Sequence, residues 1–472
     1  MIFNEIKKDQ IDKSPVLIIG SGPAGISLAI DLAKKNINSI IIEAGEEFYS
    51  EESQSQYDGK IIGDPLEQLN ESRLRQLGGT SGIWGGWSRP LENYDFLEWP
   101  ISKKDIEPYL DGACSILNIP NKFRSTNLNK EINQIEYQYS QVRFGDHYND
   151  FLRKTKKIKI FLNSQFDHFE SIDNKITHAI IKTKNGEIKL KSQNFVLATG
   201  GIENSRILLW SRIKNPNLLD KKLPIGKYWM SHPFIYGGQG IVYKQKIKKS
   251  FQKKFINVDD SPIHFTPSEN FLKSNNILSS SIHIEPSEDK EYTKKQILRD
   301  IACLAPKLSQ KIRKLYNNKD LLCGNIKMHL QENYDMKNSV TLDSERDNFN
   351  IPKPVLNYTQ SPTSVLGCKK LLIAFANLCL DKDIGRISVS DEIMNGNKIK
   401  EIAQGGYHHC GGTVMGESIK TSVVNSDLKV HNTDNLYVLG SSIFTSVGYV
   451  NPTLSIVQFS LRLSNFLKLK LS

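Results

Sequence analysis

Long apolar runs are missing from this 472-residue chain. No stretch approaches the roughly 18 residues that a bilayer-spanning helix needs, so no transmembrane segment is expected. Residues 1–14 are polar and charged, with no apolar core and no twin-arginine pair. That pattern lacks an export signal, and a cytoplasmic protein is the simplest expectation. Cysteine is scarce as well. Cys114, Cys303, Cys323, Cys368, Cys379 and Cys410 are scattered, without a Cys-x-x-Cys or a His/Cys cluster of ligand spacing. They read as free thiols, and neither a disulfide scaffold nor a metal site is expected. Acidic residues fall short of basic ones, 51 against 62, for a formal net charge of +11. Part of the excess sits in residues 294–319, where Pro306 makes one continuous amphipathic helix unfavourable. No aromatics interleave with these charges and no nucleic-acid module accompanies them, so the plainer reading is a solvated surface, with no nucleic-acid partner.

What remains is an ordinary globular composition, 39% hydrophobic and 24% charged, in a chain long enough for two or three domains. The run Val16–Ile19 is a short, β-branched strand of the buried parallel type. It ends in Gly20-Ser21-Gly22-Pro23-Ala24-Gly25, a helix follows through Ala33, and a second apolar run, 39–42, ends at Glu43. This is a complete βαβ nucleotide-binding unit. Gly20 permits the tight turn, Gly22 lets backbone approach a pyrophosphate, and Gly25 lets helix and strand pack closely. The helix start offers unpaired N–H groups to phosphate, and Glu43 is placed for ribose hydroxyls.

Such a unit holds the ADP half of either NAD or FAD. Two features favour FAD. The run from Val196 through Ala198 to Gly200 and Gly201 is a strand ending in a small-residue turn beside the first motif, and no second strand–GxGxxG–helix exists for a nicotinamide cofactor. Residues 158–199 read as small antiparallel strands leading to the buried run 195–198. The region 236–394 mixes strand-like stretches with a helical one at 364–380, which suggests an α+β unit on an antiparallel sheet. The last segment returns to α/β style, with a strand at 436–439 and a helix from about Pro452 to Leu467. The expected fold class is therefore α/β: a discontinuous Rossmann-like FAD-binding domain, 1–235 and 395–472, with an inserted α+β substrate domain at 236–394.

Several segments together resemble the glucose–methanol–choline (GMC) oxidoreductase family, over nearly the whole chain from Val16 to Phe466. They are Gly20–Gly25, Leu77–Ser81, Ala198–Arg206, His409–Thr413 with Met415-Gly416, and Asn435–Asn465. The variant is similar to pyranose oxidases and to bacterial sugar and aminocyclitol dehydrogenases. The resemblance implies an FAD-dependent oxidoreductase that takes hydride from a CH–OH group of a sugar, polyol or aminocyclitol. His409 corresponds to the family's base and Asn451 to its second active-site residue, His408 being the bystander. Imidazole suits the role because its ordinary pKa lies near physiological pH. An amide cannot act as base but can hydrogen-bond a developing alkoxide. Gly79, Thr80 and Ser81 belong to the segment that covers the flavin, where Trp84 either packs on the ring or fills the core. Phe166 marks a strand whose main chain touches the adenine end. Gly440 and Ser441 lie by the pyrophosphate or ribityl chain, a plain β–α turn being the alternative. Pro452 and Thr453 start a helix aimed at the flavin pyrimidine.

A sterol or other apolar alcohol oxidase of the same superfamily, or a flavin-binding protein without catalysis, stands as the alternative. The electron acceptor and the oligomeric state are open. Some relatives attach flavin through a histidine shortly after the two glycines; here that position is Ile83, which cannot form the bond, so FAD is expected to be non-covalent. Acid-precipitated protein should therefore be colourless, with all the FAD in the supernatant; yellow protein would refute it.

Overall fold

The computed structural model describes residues 1–6, 14–243, 263–286, 321–395 and 405–472; the basic stretch 294–319 lies outside them. Its organising element is a six-stranded parallel sheet. In chain order the strands are β1 (Ile2–Phe3), β2 (Ser14–Ile19), β3 (Ser39–Ile42), β4 (Ile158–Phe161), β5 (Ser192–Leu197) and β6 (Leu436–Val438). They lie in the order β1-β4-β3-β2-β5-β6. Strands β2, β3 and β5 are buried along almost their whole length, as expected of a parallel sheet covered on both faces. Helix α1 (Pro23–Lys34) packs on β2, β3 and β4, and the C-terminal helix α3 (Thr453–Leu471) packs against α1. Between them in sequence lies α2 (Glu203–Lys214), which follows β5.

The antiparallel strands expected within 158–199 form a three-stranded sheet, Gln165–Ile172, Lys175–Thr183 and Gly186–Leu190. Residues 158–161 belong elsewhere: β4 pairs parallel with β3, Ile41 opposite Ile160. Four residues are too few to separate the two pairings by sequence pattern.

A seven-stranded antiparallel sheet forms the second layer system. Its order is Gly385–Val389, Phe234–Tyr243, Leu321–Leu330, Ser280–Pro286, Ile263–Pro267, Ile132–Glu136 and Ser125–Asn127. The last two come from outside 236–394. In the opposite sense, Pro352–Tyr358 pairs parallel with Lys60–Gly63, so part of the 236–394 span adds to a small sheet with the first segment of the chain. The seven-stranded sheet has two unlike faces, because side chains alternate along a strand. Ile282, Ile284, Ile326, Met328 and Leu330 are buried on one face, with Leu371, Leu372 and Phe375 of the helix Pro362–Asp381 in the same core. The opposite face carries His283, Lys327 and His329. That helix is long and apolar enough, by length and composition, to cross a membrane, although Lys369 and Lys370 interrupt its apolar run. Its apolar side is covered by the sheet. The four cysteines whose side chains are described, Cys114, Cys368, Cys379 and Cys410, are free and buried.

The turn after β2 is held by close backbone packing. Gly20 has φ +104°, and a Cβ there would lie 2.5 Å from the Ala198 carbonyl oxygen; one on Gly25 would lie 2.1 Å from the Gly20 carbonyl oxygen. Around Gly22 the same atom would meet nothing within 4 Å. Gly25→Ala is therefore expected to destabilise the fold by roughly 1–3 kcal/mol through overpacking, and Gly22→Ala by less than about 0.5 kcal/mol. Chemical denaturation of the FAD-free protein checks the pair, and equal effects would contradict the packing argument.

Candidate functional site

The carboxyl ends of β2, β3, β5 and β6 open onto one cavity of about 500 Å³. Of the sixteen residues singled out in the sequence, fifteen line it: Gly20, Gly22, Glu43, Gly79, Thr80, Ser81, Phe166, Ala198, Gly200, His409, Gly440, Ser441, Asn451, Pro452 and Thr453. Gly25 does not, and acts from behind through helix packing.

The cavity wall has the properties that a dinucleotide requires. Helix α1 begins at Gly22 and α3 at Pro452, neither with a side-chain cap, so their first N–H groups have no side-chain acceptor at the N-cap. Both residues line the cavity, and helix starts of this kind favour anionic groups. Gly200, at φ +93°, has no atom within 4 Å of where a Cβ would sit, and at Gly440, φ +111°, the nearest is the Asn204 amide at 4.0 Å. With Gly22 these form a cradle that side chains would fill. The turns bearing Gly200 and Gly440 are tied together by Asn204. Its Oδ1 accepts from Thr199 N and Thr199 Oγ1 at 2.8 and 2.7 Å, while its Nδ2 donates to Leu439 O and Ser442 Oγ at 3.1 and 2.8 Å.

Other expected contacts are already engaged with protein. Glu43 accepts from Ser21 N and Oγ at 3.0 and 2.6 Å and from Gly45 N at 2.7 Å, leaving part of its four lone-pair sites for a ribose. Ser81 donates to Gly78 O at 2.7 Å and accepts from Phe144 N at 3.0 Å, so its one proton is committed to the turn. Thr80 Oγ1 accepts from Leu74 N at 3.2 Å and keeps its proton for another acceptor. Phe166 is only 2% exposed and packs at a tilt against Phe169, so any cofactor contact there is through main chain. Trp84 lines the cavity with its indole N–H donating to Val142 O at 2.8 Å. Ile83 is exposed on the same wall.

A buried ionic chain with no signature in the sequence adjoins the cavity. Arg73 meets Glu203 at 2.8 Å, Glu203 meets Arg206 at 3.0 Å, and Arg206 meets Asp347 at 2.5 Å. Glu203 and Arg206 lie in the quoted 198–206 segment, but Arg73 and Asp347 are far off in sequence.

The same cavity is lined by His408, His409 and Asn451. Among the described residues the Asn451 side chain has no hydrogen-bond partner. His409 Nε2 lies 2.9 Å from Ser72 Oγ, and its Nδ1 is enclosed without a partner. Burial, with a smaller contribution from Arg73, lowers its pKa to about 3. His408 Nδ1 lies 2.9 Å from Nδ1 of the buried His232, whose Nε2 contacts the carbonyls of Val447 and Gly448 at 3.1 and 2.8 Å. Burial lowers His232 to about 4 and holds His408 well below the ordinary range, His232 and His409 adding to the latter. His329 and His264 from the antiparallel sheet are likewise held well below it by burial. Neither His232 nor the antiparallel-sheet histidines were singled out in the sequence, since nothing in their spacing links them. Among the described residues no group of His, Cys, Asp or Glu could hold a metal.

Residues 335–460 match the family model described as GMC oxidoreductase, and residues 15–57 match the one described as FAD binding domain. The chain is 29% identical over 145 residues to a paromamine 6'-oxidase of Streptomyces fradiae, an alignment that covers 30% of this chain and spans 25% of that protein. The fold is similar to the crystal structure of pyridoxine 4-oxidase from Mesorbium loti, with TM-score 0.62, 13% identity and coverage of 96% and 99% of the two chains. It is similar also to a formate oxidase of Aspergillus oryzae, with TM-score 0.58, 14% identity and coverage of 97% and 98%.

Neutral buried histidines make stability depend on pH in a fixed direction. Their folded pKa lies below the unfolded value near 6.5, so the unfolded chain binds more protons as pH falls. Stability is complete above that value and is lost on descending towards the folded values, by up to about 1.4 kcal/mol per pH unit for each such group. The melting temperature should therefore fall steeply between about pH 6.5 and 5, and His232→Asn should flatten the slope; a flat profile in the parent protein would contradict the burial argument. The glycine cradle, the two uncapped helix starts and both matched models agree: residues 335–460 match a GMC oxidoreductase, residues 15–57 an FAD-binding domain, and the cofactor is FAD.

Proposed function

We propose that this protein oxidises a CH–OH group of a small polar alcohol, a sugar, polyol or aminocyclitol, to a carbonyl. The observation that carries the reading is a single cavity lined by an anion-binding glycine cradle, two imidazoles and an unpartnered amide. Bound there without a covalent link, FAD supplies the hydride acceptor. The protein's part is to take the hydroxyl proton and steady the oxygen that loses it. Asn451 donates a hydrogen bond to that oxygen as charge develops. For the proton acceptor, the sequence resemblance points to His409, but the hydrogen bonding favours its neighbour. His409 Nε2 is occupied by Ser72 and its Nδ1 is enclosed, whereas His408 is braced at Nδ1 and lines the cavity with Nε2 uncommitted. His408 is thus the acceptor and His409 closes the wall behind it.

The names paromamine 6'-oxidase and pyridoxine 4-oxidase support a small polar donor over a sterol. Anaerobic bleaching of the FAD-loaded protein across sugars, cyclitols, sterols and simple alcohols tests the reading, and a sterol-only response would overturn it. With the best donor, His408→Ala should slow flavin reduction by roughly 10²–10⁴-fold and Asn451→Leu by about 10²–10³-fold. The acid limb of the pH–rate profile should fall below the ordinary imidazole pKa of about 6.5. A larger loss for His409→Ala than for His408→Ala would return the role to His409.

A further inference from the structure

The pairing of His232 with His408 follows from backbone register. Met230 and Cys410 exchange both of their main-chain hydrogen bonds, Met230 N to Cys410 O at 2.8 Å and Cys410 N to Met230 O at 2.9 Å. Two residues outward on each side, His232 and His408 oppose one another on the same face of this antiparallel pair. Their rings meet edge to face with centroids 5.1 Å apart.

The protons on the two rings can be placed by elimination. Carbonyl oxygens only accept, so the His232 Nε2 that contacts Val447 O and Gly448 O carries a hydrogen. A neutral imidazole has one N–H, which leaves His232 Nδ1 as a bare lone pair. The 2.9 Å contact then requires the hydrogen on His408 Nδ1. His408, neutral in its turn, has its lone pair on Nε2. Among the described residues no protein group hydrogen-bonds that atom, and it is not enclosed. The other groups near the pair are imidazoles too, His409 beside His408 and His329 from the antiparallel sheet. Among the described residues no carboxylate hydrogen-bonds or ion-pairs with either ring to favour a second proton.

We infer that His232 is a positioning residue that fixes His408 in the tautomer whose Nε2 lone pair faces the cavity, and that the same ring holds the 447–448 turn leading to Asn451. One buried side chain thus sets the protonation pattern of the proposed acceptor and the path of the segment that presents the amide. This inference rests on the functional reading above only for its catalytic consequence; the tautomer itself is a property of the protein alone.

The two nitrogens of His232 can be separated by substitution. His232→Asn keeps an acceptor oxygen close to the Nδ1 position and loses the donor to Val447 and Gly448. His232→Gln keeps a donor at the far position and displaces the acceptor, and His232→Leu removes both. Nitrogen NMR of the full-length, FAD-loaded protein labelled at histidine should show His408 protonated at Nδ1, a signature retained in His232→Asn and lost in His232→Leu. Flavin reduction, expressed per bound FAD, should fall roughly 10–100-fold in His232→Gln and His232→Leu but less than about threefold in His232→Asn, with half-saturation by the donor unchanged. A merely structural role would lower FAD content and leave the rate per bound FAD alone, and that result overturns the inference. So does an Nε2-protonated His408 in the parent protein, or a rate kept by His232→Gln and lost by His232→Asn. If His232→Leu fails to fold, the Asn and Gln variants still decide. Should no donor bleach the parent protein, the oxidoreductase reading falls while the tautomer measurement still judges His232.

Discussion

The contact between the Gly20 turn and the Ala198 carbonyl sets the geometry of this molecule. No Cβ fits at Gly20 because the backbone of the turn after β5 already occupies that space. Two strand-ending turns thereby touch, and Asn204 couples the second to the turn after β6. Three segments more than a hundred residues apart in sequence converge on one edge of the sheet. Their glycines leave the edge free of side chains exactly where α1 and α3 direct unpaired N–H groups. Binding strength for an anionic dinucleotide is thus built from main chain, which is insensitive to rotamer choice and costs little side-chain entropy.

The histidine-lined part of the cavity follows a different physical logic. There the chain buries imidazoles rather than charges, and desolvation keeps them neutral. Buried fixed charge nearby forms the Arg73–Glu203–Arg206–Asp347 chain, where every ion has an opposite neighbour. An acceptor for a substrate proton must be neutral before the reaction and tolerate charge during it. A cluster of desolvated histidines meets the first condition outright.

Legibility in the sequence followed the locality of the signal. The 16–43 unit was readable because strand, glycine turn, helix and terminal acid lie within one short stretch, and their order carries the physics. The antiparallel sheet was readable in outline from the strand-like stretches 278–284 and 326–330, which fall on strands Ser280–Pro286 and Leu321–Leu330. Strand 132–136 was not assigned, since its place in the sheet is set by a partner more than a hundred residues later, and 125–127 joins the sheet only by pairing with it. The histidine pair shows the same limit at atomic scale. Sequence resemblance ranks His408 below His409, while the distinction between a braced and an occupied imidazole depends on His232 and Ser72, neither of which is near in sequence. Ser81 is a milder case: a hydroxyl in a cofactor-covering segment proves to be a stitch within its own turn.

The position of β6 has a consequence for how the polypeptide is made. The parallel sheet takes one edge strand from residues 436–438, and β5 lies between it and β2. During synthesis the apolar flank of β5 stays uncovered until residues 436–438 have left the ribosome. Closure then joins segments of great sequence separation, a class of pairing that forms slowly. A nascent intermediate with an open strand edge is a natural client for chaperones, and truncation anywhere before Leu436 leaves a sticky, unfinished sheet rather than a smaller working domain.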